Sequence, residues 1–314
     1  MNPIGSLSLD LDNKWAYLRA AGRSHWEGCQ SYFPLVVPRI VDLVGQTNLP
    51  LTVFLVGRDL DRDDDVAAIE QFASLRQFEA ANHSLNHLPW LHTMSDEEID
   101  HEINETHRRI ETSLGMTPLG FRGPGFSCPD EVLRILARRG YAYDASLFPT
   151  SMAPIARAVF LMRTKLKGEQ REKAKRLYGG FDSMRQPNEP HQRSVPESDY
   201  RIWEIPVSVM PWTRTPIHFS YVLFLASFST RLAKTYFRGA LAMCRRWKIA
   251  PSLLLHPPDF MGRDDDDDLA YLPGMNLSRK SKLDFVSWAL QLYVSRFNVV
   301  TLIEQTNATA KTAL

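Results

Sequence analysis

Residues 4–12 read IGSLSLDLD, with leucine at 7, 9 and 11 and serine or aspartate at 6, 8, 10 and 12. Alternation with a period of two is the pattern of a β-strand, and it sends the leucines to one face and the polar residues to the other. Asp10 and Asp12 therefore point the same way at the carboxyl end of that strand. A buried strand does not tolerate carboxylates without partners. The pair reads either as part of a site or as a cap on the following turn.

Working outward, short apolar segments alternate with amphipathic ones. Phe33 to Val44 is predicted as a helix, and Leu51 to Val56, closed by Gly57, as a buried parallel strand. A short strand is expected over Gln77–Ala81. Ser95 with Glu98 forms a capping box that opens a helix running to Leu114, stopped by Gly115. Leu119–Arg122 is strand-like, Pro129 starts a helix and Gly140 ends one. Strands are expected again at Arg201–Val209, Ser252–His256 and Asn298–Ile303, with helices at Thr230–Trp247 and Ser278–Arg296. Repeated β and α units imply a parallel sheet, and the absence of an obvious edge points to a closed α/β barrel. The whole chain, 1–314, reads as one barrel domain with an insertion over 150–199, partly helical, and a frayed tail at 306–314.

A chain of 314 residues with 44% hydrophobic and 23% charged residues can bury a core without disulfides. The net charge of +1 gives no reason to expect nucleic acid as a partner. Cys29, Cys128 and Cys244 are odd in number and lack a CxxC pair, which argues against a disulfide framework. The opening residues have neither a basic stretch nor a long apolar run, so a cytoplasmic location is expected.

His83 and His87 stand four apart in HSLNH. In a helical turn that spacing stacks two imidazoles on one face, within reach of one ion. Alone the pair is a weak signal. Together with two acids at a strand end, where barrels collect their chemistry, it suits an open, catalytic metal site of two imidazoles and one carboxylate. Zn2+ is the expected ion, and Co2+ or Ni2+ accept the same ligands. The second carboxylate is then free to take a proton from water.

The ordered set SLDLDN, TVFLVG, HSLNH, FRGPG and LLLHP resembles the five-motif signature of the NodB-type polysaccharide deacetylases, carbohydrate esterase family 4. The resemblance spans about 4–145 and 200–303. It implies a distorted (β/α) barrel and removal of N-acyl groups, acetyl or formyl, from amino sugars. Position by position it implies Asp10 as general base, Asp12, His83 and His87 as metal ligands, and Arg122 as the partner of the base. Arg122 also reads as a barrel-mouth salt bridge. The resemblance further implies Gly125 as the oxyanion N–H, His256 as general acid and Leu253 as lining of the acyl pocket. Asp144 is a candidate to orient His256, or else a cap. Leu11 separates the two aspartates, which are adjacent in the usual pattern; this makes the first motif a D-x-D form. The third-motif aromatic residue is displaced to Phe126, and the fourth-motif tryptophan has no counterpart. Trp15 reads equally as a platform for a sugar ring or as core.

The expected partner is an N-acylated sugar, as a lipid-linked or nucleotide-linked precursor. A cyclic-amide or ureide hydrolase of the allantoinase-like branch and an inactive sugar-binding barrel are the alternatives. Ile155, Val159, Met162, Leu166, Ala174 and Leu177 can form one helical stripe amid the basic residues Arg163, Lys165, Lys167, Arg171, Lys173, Lys175 and Arg176. This reads as a helix packed on the barrel or as a peripheral membrane contact, to which the aromatic-rich 217–228 segment adds. Asp264 to Asp268 read as a solvated acidic loop.

Overall fold

The computed structural model describes residues 2–163, 168 and 183–313. The chain begins with β1 (Ile4–Leu11), α1 (Lys14–Ala20), α2 (Phe33–Gln46), β2 (Leu51–Leu55), α3 (Asp63–Glu70) and β3 (Phe78–Asn82). It continues through α4 (Asp96–Leu114), β4 (Gly120–Phe121), α5 (Asp130–Arg138), β5 (Tyr143–Asp144) and α6 (Ala153–Arg163). Next come β6 (His191–Ser194), β7 (Arg201–Glu204), α7 (Phe219–Ala226), α8 (Thr230–Arg246) and β8 (Ser252–Leu255). The last elements are α9 (Arg279–Arg296), β9 (Asn298–Val300) and α10 (Leu302–Ala313).

The strands form one curled sheet in the order β6-β7-β5-β4-β3-β2-β1-β8, with β9 also on β1. Every pairing is parallel except β6 with β7. The Ser208 N–H donates to the Ser252 carbonyl at 3.1 Å, so the segment after β7 reaches β8 and curls the sheet toward closure. This is the distorted (β/α) barrel expected from the motifs.

Alternation along β1 divides the protein into two environments. Leu7, Leu9 and Leu11 face outward into the main core, against Phe33, Val36 and Ile40 of α2, Phe237 and Leu241 of α8, and Phe285 and Leu290 of α9. Ser6, Ser8 and Asp10 face the barrel interior. Ser6 bonds Gln305 at 2.5 Å, and Ser8 and Asp10 both bond Arg122. A polar interior on a central strand is expensive unless every group is paired, and here a buried arginine pairs two of them.

Several expectations need correction. Residues 306–313, expected as part of a frayed tail, continue a helix. Thr301 and Glu304 form a reciprocal cap, Leu302 is fully buried, and α10 runs on to Ala313. The acidic run is a turn exposed at Asp264, Asp267 and Asp268, as expected, but it is also tied down by ion pairs and hydrogen bonds. Asp265 clamps Arg39 with two bonds at 2.9 and 3.0 Å, Asp264 accepts from the Arg279 N–H, and Asp266 and Asp268 both pair Lys14 at 2.8 Å. The insertion adds α6 and the edge strand β6. Ile155 and Met162 are exposed on α6, while Leu166, Ala174, Leu177 and the basic residues from Lys165 to Arg176 lie outside the described residues. In the 217–228 segment Phe219, Val222 and Leu223 are buried against the barrel and Phe228 is exposed. No described helix is long and apolar enough to cross a membrane.

Candidate metal centre and active site

The site lies where the parallel strands end. Asp12 follows β1, His83 and His87 follow β3, Arg122 follows β4 and His256 follows β8. The His83–His87 segment is not the helical turn that its spacing predicted. It is a loop with Ser84 at φ 63° and His87 at φ 49°, a left-handed conformation that side chains rarely adopt. Such strain persists only where the surroundings fix it. The Gly57 and Arg58 N–H groups donate to the Ser84 and Leu85 carbonyls at 3.0 and 2.9 Å. Glu102 of α4 accepts from the backbone and side-chain nitrogens of Asn86 at 2.8 and 2.7 Å. Arg19 of α1 donates to the carbonyls of Asn86 and His87.

Asp12 Oδ1 lies 3.0 Å from His87 Nε2 and 3.4 Å from His83 Nε2, and one ligand atom from each of the three lies within 4.8 Å of the others. His83 Nδ1 is 2.6 Å from the Arg122 carbonyl, which makes Nδ1 the protonated nitrogen and leaves the Nε2 lone pair facing the centre. Asp12 Oδ1 is buried with no hydrogen-bond donor. Burial opposes ionisation of Asp12, but His87 and His83 outweigh it and hold the carboxyl well below its usual range. An orphaned carboxylate oxygen facing two oriented imidazoles is a donor set that fits a divalent cation.

Asp10 stays outside this triad. Its Oδ1 accepts from Arg122 Nη1 at 2.6 Å, and its Oδ2 lies 3.9 Å from both His83 Nε2 and His256 Nε2. Arg122 is fully buried, donates to Ser8 Oγ and the Ala145 carbonyl, and lies 4.1 Å over the Phe54 ring. The pairing expected for Arg122 is present, and it is deep in the barrel rather than at its rim.

His256 is oriented by groups that the sequence reading missed. His256 Nδ1 is 3.1 Å from Ser220 Oγ, and Ser220 donates to Asp259 Oδ1 at 2.9 Å. Asp259 also accepts from the His256 backbone N–H at 2.8 Å. The local pattern His256-x-x-Asp259 was readable as a turn cap; Ser220, 36 residues away on α7, was not. Asp144 does not orient His256, contrary to expectation. It accepts from Ser146 at 2.6 Å and shares Arg193 with Glu204, while Ser146 holds the Gly123 N–H at 2.7 Å. Asp144 thus braces the turn at Pro124–Phe126, in which Gly125 takes φ 60°.

Leu253 also departs from its expected place. Counting back by twos from His256 gives Leu254 and Ser252 on the interior face, and Leu253 packs outward in the main core. Leu254 instead meets Phe148, Val207 and Val209, with Phe126 against them, the two phenyl rings 4.9 Å apart. His218 stands 5.4 Å from Phe148 and 6.4 Å from His256, and burial with the His256 charge pushes it down to about 3, so it is neutral. Trp15 is core, not an open platform. It is 7% exposed and its Nε1 donates to Asp59 at 2.6 Å. Asn13 donates to the same carboxylate at 3.0 Å, and burial raises Asp59 to about 8.

Residues 28–143 match the family described as polysaccharide deacetylase. Chitin deacetylase 1 of Cryptococcus neoformans var. grubii is 32% identical over 120 residues, 38% of this chain and 24% of that protein. The chain thus spans about a quarter of the curated relative it matches. A solved structure from Mycobacterium smegmatis, described as a polysaccharide deacetylase, superposes with a TM-score of 0.61 at 18% identity, covering 99% of this chain and 91% of the other. Another from Pseudomonas aeruginosa, described likewise, gives 0.58 at 15% identity over 97% and 89%. At those identities the likeness concerns the fold. Over residues 28–143 the chain is similar to the polysaccharide deacetylase family, and it shares the distorted (β/α) barrel of the solved structures described as polysaccharide deacetylases.

Proposed function

We propose that the protein is a metal-dependent hydrolase that removes an N-acyl group, acetyl or formyl, from an amino sugar. One observation carries the reading: Asp12, His83 and His87 converge on a single point while Asp10, beside them, is paired to Arg122 and left unligated. Zn2+ fits two imidazoles and a carboxylate, and when bound it supplies Lewis acidity and a water of lowered pKa. The rest falls to the protein's own residues. Arg122 pairs with Asp10 and aims it, and Asp10 accepts the proton of the attacking water. The Gly125 N–H is assigned to the oxyanion that develops on the amide oxygen. His256, held through Nδ1 by Ser220 and Asp259, presents Nε2 to the departing nitrogen and gives it a proton. The apolar cluster of Phe126, Phe148 and Leu254 beside His256 suits a small acyl group.

The test is acyl release from N-acetyl and N-formyl glucosamine derivatives, with cyclic imides assayed in parallel. Acetate or formate released by the wild type and lost in His256→Ala supports the reading. Hydrolysis confined to cyclic imides assigns the site to ureide-type chemistry. Sugar binding without any turnover makes the barrel a binding protein.

A further inference from the structure

Beside the candidate metal centre the barrel mouth carries two arginines that make no ion pair among the described residues. Arg19 belongs to α1 and Arg58 to the turn after β2. The Arg19 guanidinium carbon lies 4.9 Å from the Trp15 ring and 5.3 Å from the Trp26 ring. That of Arg58 lies 5.0 and 5.1 Å from the same rings. With the rings 6.2 Å apart, these distances keep the two guanidinium carbons within about 8 Å of each other. Arg19 also donates to the carbonyl of His87, so the pair stands against the loop that supplies two of the metal ligands. Glu102, the acid whose charge reaches Arg19, is engaged by Asn86. Among the described residues neither arginine has an ion-pair partner, and the Arg58 side chain donates a hydrogen bond to none of them. Both are half-buried, and none of their nitrogens is among the buried atoms without partners, so their free donors reach solvent.

Two guanidiniums confined by shared indole faces, next to a site built for a dication, repel one another. An anion between them removes that cost. The indole faces hold both guanidinium groups beside the site before a ligand arrives. A tetrahedral phosphoryl group offers edges to two forks and carries up to two negative charges, which matches two cations side by side. We propose that Arg19 and Arg58 form a phosphate-binding subsite, and that the substrate is an N-acyl glycosyl phosphate. The anion site stands on its own geometry; the N-acyl sugar rests on the function proposed above.

The test is calorimetric titration of the zinc-loaded protein with N-acetylglucosamine and with its 1-phosphate. The wild type is expected to bind the phosphate at least tenfold more tightly than the neutral sugar. Arg58→Gln is expected to lose at least tenfold for the phosphate and less than twofold for the neutral sugar. Arg58→Lys, which keeps a charge over the rings, falls between the two. Equal phosphate affinity in wild type and Arg58→Gln overturns the proposal. Inorganic phosphate titrated into Asp12→Ala separates the arginines from the metal: Arg58-dependent binding there supports the subsite, and its absence assigns the anion to the ion and overturns it. A soluble nucleoside-diphosphate sugar and vesicles carrying a polyprenyl-phosphate sugar distinguish the carriers. Arg58-dependent binding in either arm supports the subsite and names the carrier, and dependence in neither overturns it. Arg58-dependent binding without acyl release leaves the subsite standing and removes the hydrolase reading.

Discussion

Arg122→Met tests the electrostatic centre of the barrel. The side chain is fully buried, pairs Asp10 at 2.6 Å, and donates to Ser8 Oγ at 3.1 Å and to the Ala145 carbonyl at 2.8 Å. Methionine fills much of the same space over Phe54 but supplies no donor. Removing one member of a buried ion pair costs about 3–5 kcal/mol, because the other charge is left uncompensated. No discount for solvent screening applies where both partners lie inside the barrel. The lost bond to a carbonyl adds about 1 kcal/mol. Urea unfolding at pH 7 reads the loss as a lower midpoint at unchanged slope. Adding Asp10→Asn removes the stranded charge, so the double variant recovers about 1–2 kcal/mol relative to Arg122→Met alone, a coupling expected of residues in contact. A loss below about 1 kcal/mol, or a double variant no more stable than Arg122→Met, refutes the claim that the two charges support one another.

Three further outcomes follow from the same geometry. Ser220→Ala cuts the link from His256 to Asp259; kcat falls at least about tenfold with KM held, and Ser220→Thr, which keeps the hydroxyl, recovers most of it. A matching loss in both variants denies Ser220 its positioning role. Lys282 of α9 is buried, donates to the Pro258 carbonyl at 2.8 Å, and burial lowers it from 10.5 to about 8. The unfolded chain therefore binds more protons between pH 8 and 10.5, so this residue's cost is full below pH 8 and is relieved as pH rises. Wild type gains about 3 kcal/mol relative to Lys282→Met across that window in melts at stepped pH, and parallel curves sink the idea. Gly123→Ala drives a methyl into the Ser127 carbonyl, 1.8 Å from the new carbon, and displaces the turn that carries Gly125. Crystallography of the variant shows that turn shifted, and an unmoved turn contradicts the account.

Much of this site is legible in the chain because its residues obey local rules. The period of two in IGSLSLDLD is enough to turn Asp10 inward, and the strand ends locate the chemistry. The same rule applied backward from His256 selects Leu254 over Leu253, whereas the motif correspondence points to Leu253. His83 and His87 stand out through their spacing, yet the geometry that unites them is a strained loop held by Glu102 and Arg19, contacts set by tertiary packing. Ser220 and the Arg19–Arg58 pair leave no sequence signal for the same reason. The capping signature Thr301-x-x-Glu304 is readable and marks α10, which the expectation of a frayed tail passes over.

Elemental analysis of the purified protein and two variants bears most directly on the central claim. Wild type and Asp10→Asn should carry one equivalent of divalent metal, and Asp12→Ala little or none, since Asp12 is the carboxylate facing both imidazoles and Asp10 is held by Arg122. Equal metal in all three proteins, or equal loss in the two variants, would contradict the division between ligand and base.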